Sequence, residues 1–415
     1  MPERRLITGL DVGTSKVCTI IAEVHPSGRL DFVGVGVAPS HGLRKGMVVD
    51  LERTVDAIRA SVGQAERMAG VKVEEVWVGV AGGHVTSLNS HGVVAVARPD
   101  WEITRDDVER AVEAARAVAL PSDRQVIHVL PREFVVDGCR GIHDPVGMSG
   151  VRLEVHVHLV TGAVTALRNM VKAVERAGLE VADLVLQPLA SAEAVLVPEE
   201  RSEGVVLIDI GAGTTDLAVF HEGSIWHTAV IPVGGNHVTS DLAYGLRLPW
   251  GEAERAKLAF GRPPVLPGFE GQLQVAAASF SGREAQGDRV DPALVIGARA
   301  EEIFRLVAGE LRQVPHPAFV PGGAVITGGS SQLGGVLEIA RQTLGLPVRR
   351  GVPGGRAGFP DLEANPAFAT GVGLALYGAR RRPPEEVSAR ARRRAGPAAR
   401  VMALVRQWFG DFFPE

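Results

Sequence analysis

The same strand-turn-strand pattern occurs twice in this 415-residue chain, and the duplication constrains the fold more than any other feature. One apolar segment ends at Asp11 and is followed by a Gly-Thr-Ser turn and a second apolar segment. Another apolar segment ends at Asp209 and is followed by a Gly-Ala-Gly-Thr-Thr turn and a further apolar segment. The two aspartates are 198 positions apart, which is too long a period for a solenoid. The spacing predicts two copies of one domain that face each other across a cleft.

Helical patterns lie between the predicted strands, and their alternation with strands predicts an α/β fold. Thr104 and Asp107 have the spacing of a capping box, with Asp in place of the usual Glu. Residues 261–292 are rich in Gly, Pro and Ser and are predicted to form a loop. Apolar residues recur near the helical period over residues 51–68, 105–118, 163–177 and 298–314.

Composition excludes several classes of protein. Hydrophobic residues make up 46% and charged residues 22%, which is typical of a globular chain. A formal charge of −4 argues against a protein built around nucleic acid. Cys18 and Cys139 both lie in apolar stretches and are predicted to be buried, reduced thiols. With no apolar run of about 18 residues and too short an apolar start for a signal peptide, the body of the chain is predicted to be cytosolic.

The first turn has the residue types of a phosphate-binding loop. Gly13 allows the main chain to approach a phosphate, and the backbone N–H groups at Thr14 and Ser15 can form an anion-binding nest. Lys16 adds a positive charge for phosphate. Asp11 would face Mg²⁺ through water, because Mg²⁺ loses its hydration shell reluctantly. In isolation, an ordinary turn has the same pattern.

The second turn strengthens this interpretation. Asp209 is followed by Gly211, Gly213, Thr214 and Thr215 directly after an apolar strand. Two such loops on facing domains would form a clamp around a triphosphate and its Mg²⁺.

Two further segments could complete a nucleotide site. After an apolar strand, Gly328 and Gly329 would let a flat base lie against the backbone, and Ser330 could cap a helix. Glu254 and Lys257 are three residues apart, so they share a helix face from which they could reach ribose hydroxyls. The alternative for the glycine segment is a plain strand-to-helix loop. The alternative for Glu254 and Lys257 is a solvated helix face.

Other polar residues carry less information. His128, His156 and His158 lie on predicted strands, and the last two alternate onto one face as a metal pair would. No third ligand has useful spacing, so strand-surface histidines are predicted. No Ser-His-Asp, Cys-His or Walker-A arrangement is present.

The C-terminal segment combines a basic linker with an amphipathic helix. The last 36 residues hold nine arginines against four acidic residues. This combination suits an anionic membrane surface, to which each basic residue adds about 1 kcal/mol of attraction. The alternative is a helix that packs on the protein's own core. At about 100° per residue, one half of the helical wheel holds all the large apolar residues, which are Val401, Met402, Leu404, Val405, Trp408, Phe409, Phe412 and Phe413.

The ordered motifs resemble those of the actin, Hsp70 and sugar-kinase superfamily. They are Asp11-x-Gly13, Gln187-Pro-Leu-Ala-Ser191, Asp209-x-Gly-x-Gly-Thr214, Thr327-Gly-Gly-Ser330 and Ala369-Thr-Gly371. Within that superfamily the chain resembles the bacterial FtsA family, whose inserted subdomain is similar to Val126-Ile-His-Val-Leu-Pro131, Gly141-Ile-His-Asp-Pro145 and His158-Leu-Val-Thr-Gly162.

The resemblance implies an α/β, actin-like two-lobed fold with duplicated ribonuclease-H-like domains and two inserted or variable subdomains. The implied division is 1–83 and 163–196 as subdomain 1A, 84–162 as inserted subdomain 1C, 197–236 and 301–378 as subdomain 2A, 237–300 as subdomain 2B, 379–397 as a flexible basic linker and 398–415 as an amphipathic membrane-targeting helix.

The resemblance also implies ATP and Mg²⁺ as cofactors. Asp11 and Asp209 would face Mg²⁺ and phosphate, and Gln187 and Asp209 would be the catalytic residues. Because the Gln187 amide can orient a water molecule but cannot take its proton, we expect slow ATP hydrolysis at best. Further implied contacts are Glu254 and Lys257 with the ribose, Gly328, Gly329 and Ser330 with the adenine, and Gly234, Gly235 and Asn236 with the nucleotide.

The implied function is a polymerising cell-division protein at the cytoplasmic face of the cell membrane. Its implied partners are the C-terminal peptide of FtsZ at subdomain 2B, later division proteins at subdomain 1C, further copies of itself in a filament, and anionic lipid through the C-terminal helix. Two alternatives share the superfamily: a pilus-assembly adaptor, and a small-metabolite kinase, which needs a substrate-side carboxylate. A chaperone is disfavoured because no peptide-binding domain follows.

Overall fold

The structure is a computed structural model that describes part of the chain. The predicted loop at 261–292, except for its last two residues, and the tail from residue 382 lie outside the described residues. The described residues are 5–25, 29–97, 99–260, 291–314, 320–354, 359, 362 and 364–381.

The strands of the described residues form three larger sheets and one two-stranded ribbon. In chain order they are β1 (Leu6–Val12), β2 (Lys16–Val24), β3 (Leu30–Pro39), β4 (Leu43–Arg44), β5 (Met47–Val48), β6 (Glu75–Val80), β7 (Val85–Ala95), β8 (Arg124–Val136), β9 (Cys139–Ile142), β10 (Arg152–Ala163), β11 (Glu180–Leu186), β12 (Val205–Ile210), β13 (Thr215–His221), β14 (Ser224–Ile231), β15 (Ala324–Thr327) and β16 (Val348–Arg350).

The helices of the described residues pack on these sheets or on one another. In chain order they are α1 (Leu51–Ala69), α2 (Arg105–Arg116), α3 (Val164–Arg176), α4 (Gln187–Val195), α5 (Pro198–Glu203), α6 (Gly235–Gly245), α7 (Trp250–Phe260), α8 (Pro292–Leu311), α9 (Val336–Leu344) and α10 (Ala369–Arg381).

Two five-stranded sheets have the same topology, and they define the first and the second lobe. Their strand orders are β3-β2-β1-β6-β11 and β14-β13-β12-β15-β16. In each sheet the first three strands are antiparallel and the last two join in parallel. Asp11 pairs with Cys18 in the first hairpin, and Asp209 pairs with Asp216 in the second. The predicted two-lobed, duplicated α/β fold is confirmed.

A third sheet, the inserted sheet, lies between β6 and α3 in the chain. Its order is β7-β10-β8-β9, all antiparallel, and α2 packs on it. It has a separate apolar core that includes Phe134, Leu153 and Val112. Helix α2 begins at the predicted capping box, where Thr104 donates from its backbone N and its hydroxyl to the Asp107 carboxylate, at 2.9 and 2.6 Å.

The inserted sheet also contacts the second lobe through β14. His158 bridges the two, with Nε2 2.9 Å from Thr228 Oγ1 and Nδ1 2.7 Å from Asn89 Oδ1. Ser87 Oγ donates to the Thr228 carbonyl at 2.8 Å. These contacts define a polar seam between the inserted sheet and the second lobe.

The prediction that these histidines lie on strand surfaces is wrong for His128 and His158. His158 is 1% exposed because it lies in the seam, and His128 is buried beneath β11, where its Nε2 accepts from the Leu186 backbone N at 3.0 Å. Only His156 keeps partial exposure, stacked on His91. The prediction that Cys139 is buried is also wrong, since Cys139 is exposed at the start of β9 and only Cys18 is buried.

Helices α4 and α10 cross at the junction of the lobes. A Cβ built on Gly373 would lie 1.7 Å from the Ala190 carbonyl oxygen, so the two backbones are in direct contact. Residues 379–381 continue α10 and are not part of the linker predicted from residue 379. Arg381 is buried against the Tyr377 ring, with its guanidinium 4.5 Å from the ring centroid. No helix in the described part of the chain is long and apolar enough to cross a membrane.

Candidate functional site

The two hairpin turns face each other across a cavity of about 300 Å³. Both predicted phosphate loops contribute to its wall, as do the third glycine segment and helix α7. The predicted site residues that line the cavity are Asp11, Gly13, Thr14, Ser15, Lys16, Gln187, Asp209, Gly211, Gly213, Thr214, Asn236, Glu254, Lys257, Gly328, Gly329 and Ser330.

The two loops have the same internal geometry. Gly13 N donates to the Lys16 carbonyl at 2.9 Å, and Gly211 N donates to the Thr214 carbonyl at the same distance. A Cβ on Gly213 would lie 2.6 Å from Thr14 Oγ1, so the two loops are in direct contact there. The lobes therefore meet through their turns, as the duplicated pattern predicts.

The aspartates that end the two strands are both buried. Asp11 accepts from Gln187 Nε2 at 3.0 Å, and burial raises its pKa to about 6, against the nearby Lys16 ammonium, which lowers it. Asp209 accepts from Ser191 Oγ at 2.6 Å and from Thr370 Oγ1 at 3.2 Å. Burial raises the pKa of Asp209 too, and these two hydroxyl donors oppose that rise.

A third acid, Asp216, lines the cavity and was not among the predicted site residues. It is 3% exposed and accepts from Thr214 Oγ1 at 2.8 Å through Oδ2. Its Oδ1 has no hydrogen-bond partner among the described residues. Burial, and then the charge of Asp209, raise the pKa of Asp216 to about 8. Its place opposite Asp209 in the hairpin register was the signal that could have identified it.

These acids fit a hydrated divalent cation. Lys16 lies near these acids and lowers the pKa of Asp11. Its ammonium contacts the Ala367 carbonyl and lies 4.2 Å from the Phe368 ring centroid. No group of three or more His, Cys, Asp or Glu side chains in the described residues could by itself hold a metal ion. Mg²⁺ usually retains several waters and binds through one or two carboxylates and the phosphates of a ligand, so the arrangement suits it.

Helix α7 contributes an ion pair, Glu254 and Lys257, to the wall of the cavity. Lys257 Nζ lies 2.8 Å from Glu254 Oε2, and Thr239 Oγ1 donates to the same oxygen at 2.5 Å. Lys257 is 7% exposed, so its side chain does not lie on a solvated helix face, whereas the Glu254 side chain is partly exposed. Its groups lie where they could hydrogen-bond hydroxyls of a bound ligand.

The third glycine segment packs against the second loop. Gly328 has φ +83°, and a Cβ there would lie 2.3 Å from Asp209 Oδ1, so this position requires glycine. Ser330 Oγ donates to the Gly211 carbonyl at 3.1 Å. The prediction that Ser330 caps a helix is wrong: it lies in a short 3₁₀ turn (Gly329–Gln332), and α9 begins after Gly335.

Three predicted nucleotide-binding residues do not line the cavity: Thr215, Gly234 and Gly235. Thr215 Oγ1 donates to the Val233 carbonyl at 2.8 Å, and Gly235 N donates to the Gly211 carbonyl at 2.9 Å. Thr215 and Gly235 thus stabilise the second loop without lining the cavity. Lining residues that were not predicted are Val12, Gly46, Ala81, Ala212, Asp216, Leu258, Gln332, Leu333, Pro366, Ala367 and Thr370.

Comparisons with known proteins identify the family. Residues 82–161 match the family described as "SHS2 domain inserted in FTSA", and residues 206–373 match "Cell division protein FtsA". The cell division protein FtsA of Pseudomonas aeruginosa is 45% identical over 374 residues, covering 90% of this chain and 89% of that protein. The chain belongs to the FtsA family of cell division proteins. The FtsA of Escherichia coli K12 is 38% identical, with 91% of each chain covered.

Solved structures confirm the actin-like fold. The PilM-PilN type IV pilus biogenesis complex aligns with a TM-score of 0.66 at 20% identity, covering 92% of this chain and 100% of that one. MreB5 of Spiroplasma citri aligns with a TM-score of 0.51 at 16% identity, covering 91% and 97%. The predicted FtsA family and its actin-like role in cell division are therefore established for this chain.

Proposed function

We propose that this FtsA protein binds ATP and Mg²⁺ between its two lobes. The observation that carries the proposal is the pair of equivalent loops, with Asp11 and Asp209 directed at one cavity. Lys16 and the loop amides would bind the phosphates, Glu254 and Lys257 the ribose, and Gly328 to Ser330 the adenine. Mg²⁺, when bound, supplies charge neutralisation on the phosphates.

Hydrolysis would be slow. Gln187 is hydrogen-bonded to Asp11. Its amide can orient a water molecule near the phosphates but cannot accept a proton from that water. Asp209 would serve to hold the hydrated cation. The protein therefore acts mainly by binding and assembly.

Replacing Asp209 tests the nucleotide site. Asp209→Ala should weaken Mg·ATP binding at least tenfold, because the cation loses a carboxylate beside the phosphates. Calorimetric titration measures the affinity, and Asp56→Ala, at an exposed position on α1, is the matched control. Normal affinity in Asp209→Ala would remove that residue from the site.

Assembly at the membrane forms the second part of the proposal. The protein would polymerise and tether FtsZ filaments to the cytoplasmic face of the membrane at the division site. Subdomain 2B (237–300) would bind the C-terminal peptide of FtsZ, and subdomain 1C (84–162) would recruit later division proteins. Membership of the FtsA family supports this role, and the basic, amphipathic sequence of residues 382–415 supports the attachment to lipid.

Deleting residues 397–415 tests the attachment. The shortened protein should lose binding to anionic phospholipid vesicles in a sedimentation assay, because the whole apolar face is removed together with Arg400 and Arg406. Its ATP affinity should not change. Vesicles of neutral lipid are the control for the electrostatic part, and undiminished binding to anionic vesicles would refute the proposal.

A pilus-assembly adaptor is the second candidate, because the PilM-PilN complex shares this fold. Such an adaptor has no use for a polybasic amphipathic tail, so the vesicle assay separates the two functions. A screen for phosphate transfer to small alcohols tests the small-metabolite kinase.

A further inference from the structure

One face of helix α4 contacts both of the acids that end the paired strands. Gln187 and Ser191 are four residues apart and so lie on the same side of the helix, about 6 Å apart along its axis. Gln187 Nε2 donates to Asp11 Oδ1 at 3.0 Å, and Ser191 Oγ donates to Asp209 Oδ2 at 2.6 Å. A single helical turn therefore connects the two lobes' carboxylates.

A second hydroxyl reaches the same oxygen from helix α10. Thr370 Oγ1 donates to Asp209 Oδ2 at 3.2 Å and lies 3.0 Å from Ser191 Oγ. Ser191, Thr370 and Asp209 are 0%, 8% and 7% exposed. The two hydroxyls can meet because α4 and α10 cross with their backbones in contact at Gly373.

This arrangement orients the carboxylate. The terminal torsion of an aspartate has a broad, roughly two-fold energy profile, so external partners decide how the group is turned. Both donors act on Oδ2, whereas Oδ1 lies beside Gly328, which lines the cavity. Groups that hold a metal-binding carboxylate in this way commonly set the affinity for the metal.

We propose that Ser191 and Thr370 are positioning residues that turn the Asp209 carboxylate toward a cation in the cavity. The inference rests on the proposed function, because the cation is the one that would accompany ATP. It adds that each of the two helices at the lobe junction supplies one hydroxyl to the same oxygen.

The test compares nucleotide affinity with and without metal. Ser191→Ala and Thr370→Val should each weaken ATP binding about 10- to 100-fold in the presence of Mg²⁺. The affinity of Ser191→Ala for ATP in EDTA should remain that of the original protein, because Ser191 does not line the cavity. Ser191→Thr and Thr370→Ser, which keep the hydroxyls, should restore Mg²⁺-dependent binding.

A second buried hydroxyl pair provides the matched control. Thr19 Oγ1 and Ser61 Oγ lie 2.7 Å apart in the first lobe, both fully buried, and Ser61 Oγ also donates to the Gly36 carbonyl at 2.9 Å. Ser61→Ala therefore removes a buried hydroxyl of the same kind, and it should lower Tm without changing the ratio of affinities with Mg²⁺ and with EDTA. Equal losses of affinity in both conditions for Ser191→Ala, or no loss at all, would overturn the proposal.

A measurement without nucleotide separates this inference from the proposed function. If the hydroxyl acts on the carboxylate, the Tm shifts of Ser191→Ala and Asp209→Ala should not add in the double variant. Additive shifts would overturn the positioning role and leave ATP binding intact. Absence of ATP binding in the original protein would instead overturn the proposed function, and this inference with it.

Discussion

At the scale of single residues, burial decides the chemistry of the polar side chains. Burial, and then the nearby charges of His227 and Arg132, lower the pKa of His158 to about 3. The unfolded chain binds a proton at this histidine below about pH 6.5, whereas the folded protein does not until about pH 3. The folded protein must therefore lose stability as the pH falls through this window.

Replacing His158 should make the protein less sensitive to acid. In His158→Gln, the slope of unfolding free energy against pH between pH 4 and 6 should decrease by about 1.4 kcal/mol per pH unit, which corresponds to one proton. Urea unfolding at several pH values measures it. Thr228→Val is the matched control, since it removes a hydrogen-bond partner of His158 but not the titrating group and should keep the slope. An unchanged slope in His158→Gln contradicts the prediction.

At the scale of elements, the crossing of α4 and α10 sets the geometry of the site. Direct backbone contact at Gly373 and Ala190 brings Ser191 and Thr370 within reach of Asp209. The close approach of the two helices requires a residue without a side chain at Gly373.

Adding a methyl group at this crossing should separate the helices. Gly373→Ala should destabilise the protein by about 3 kcal/mol, because the new Cβ has no room beside the Ala190 carbonyl. Urea unfolding measures the loss. Gly63→Ala in α1 is the matched control: its Cβ would contact only the end of the Arg67 side chain, and it should be neutral or stabilising by up to about 1 kcal/mol. Similar stabilities for the two variants would show that the crossing is not tight.

At the scale of the whole molecule, the cavity lies between two lobes that also contact each other away from their turns. Helices α4 and α10 cross at the junction, and the polar seam holds the inserted sheet against β14. A ligand that contacts both loops therefore binds the folded arrangement of the lobes and not the unfolded chain.

Mg·ATP should stabilise the folded protein as a whole. At a concentration 100 times Kd, the unfolding free energy should rise by about 2.7 kcal/mol, because a ligand that binds only the folded state shifts the equilibrium by mass action. Scanning calorimetry measures the rise in Tm. Mg²⁺ alone is the control, and a melting temperature that does not respond to Mg·ATP would count against a nucleotide site between the lobes.

The sequence by itself determined the features that depend on neighbouring residues. Repeated hairpins predicted the duplicated lobes, the 3.6-residue period predicted α1 to within a residue, and the spacing of Thr104 and Asp107 predicted the start of α2. The part of the cavity lining that the two phosphate loops and the third glycine segment form was predictable in the same way, because its glycines and hydroxyls follow their strands directly. These signals are local, so they can be seen without knowing how the chain folds back on itself.

The tertiary structure alone decided which distant side chains meet. Ser191 and Thr370 are 179 positions apart, and their contact with Asp209 depends on how two helices cross. His158 was predicted at a surface and is buried because the second lobe covers it, whereas Cys139 was predicted to be buried and is exposed. Apolar pattern indicates which strand faces are suited to burial, but packing between lobes decides which faces are covered.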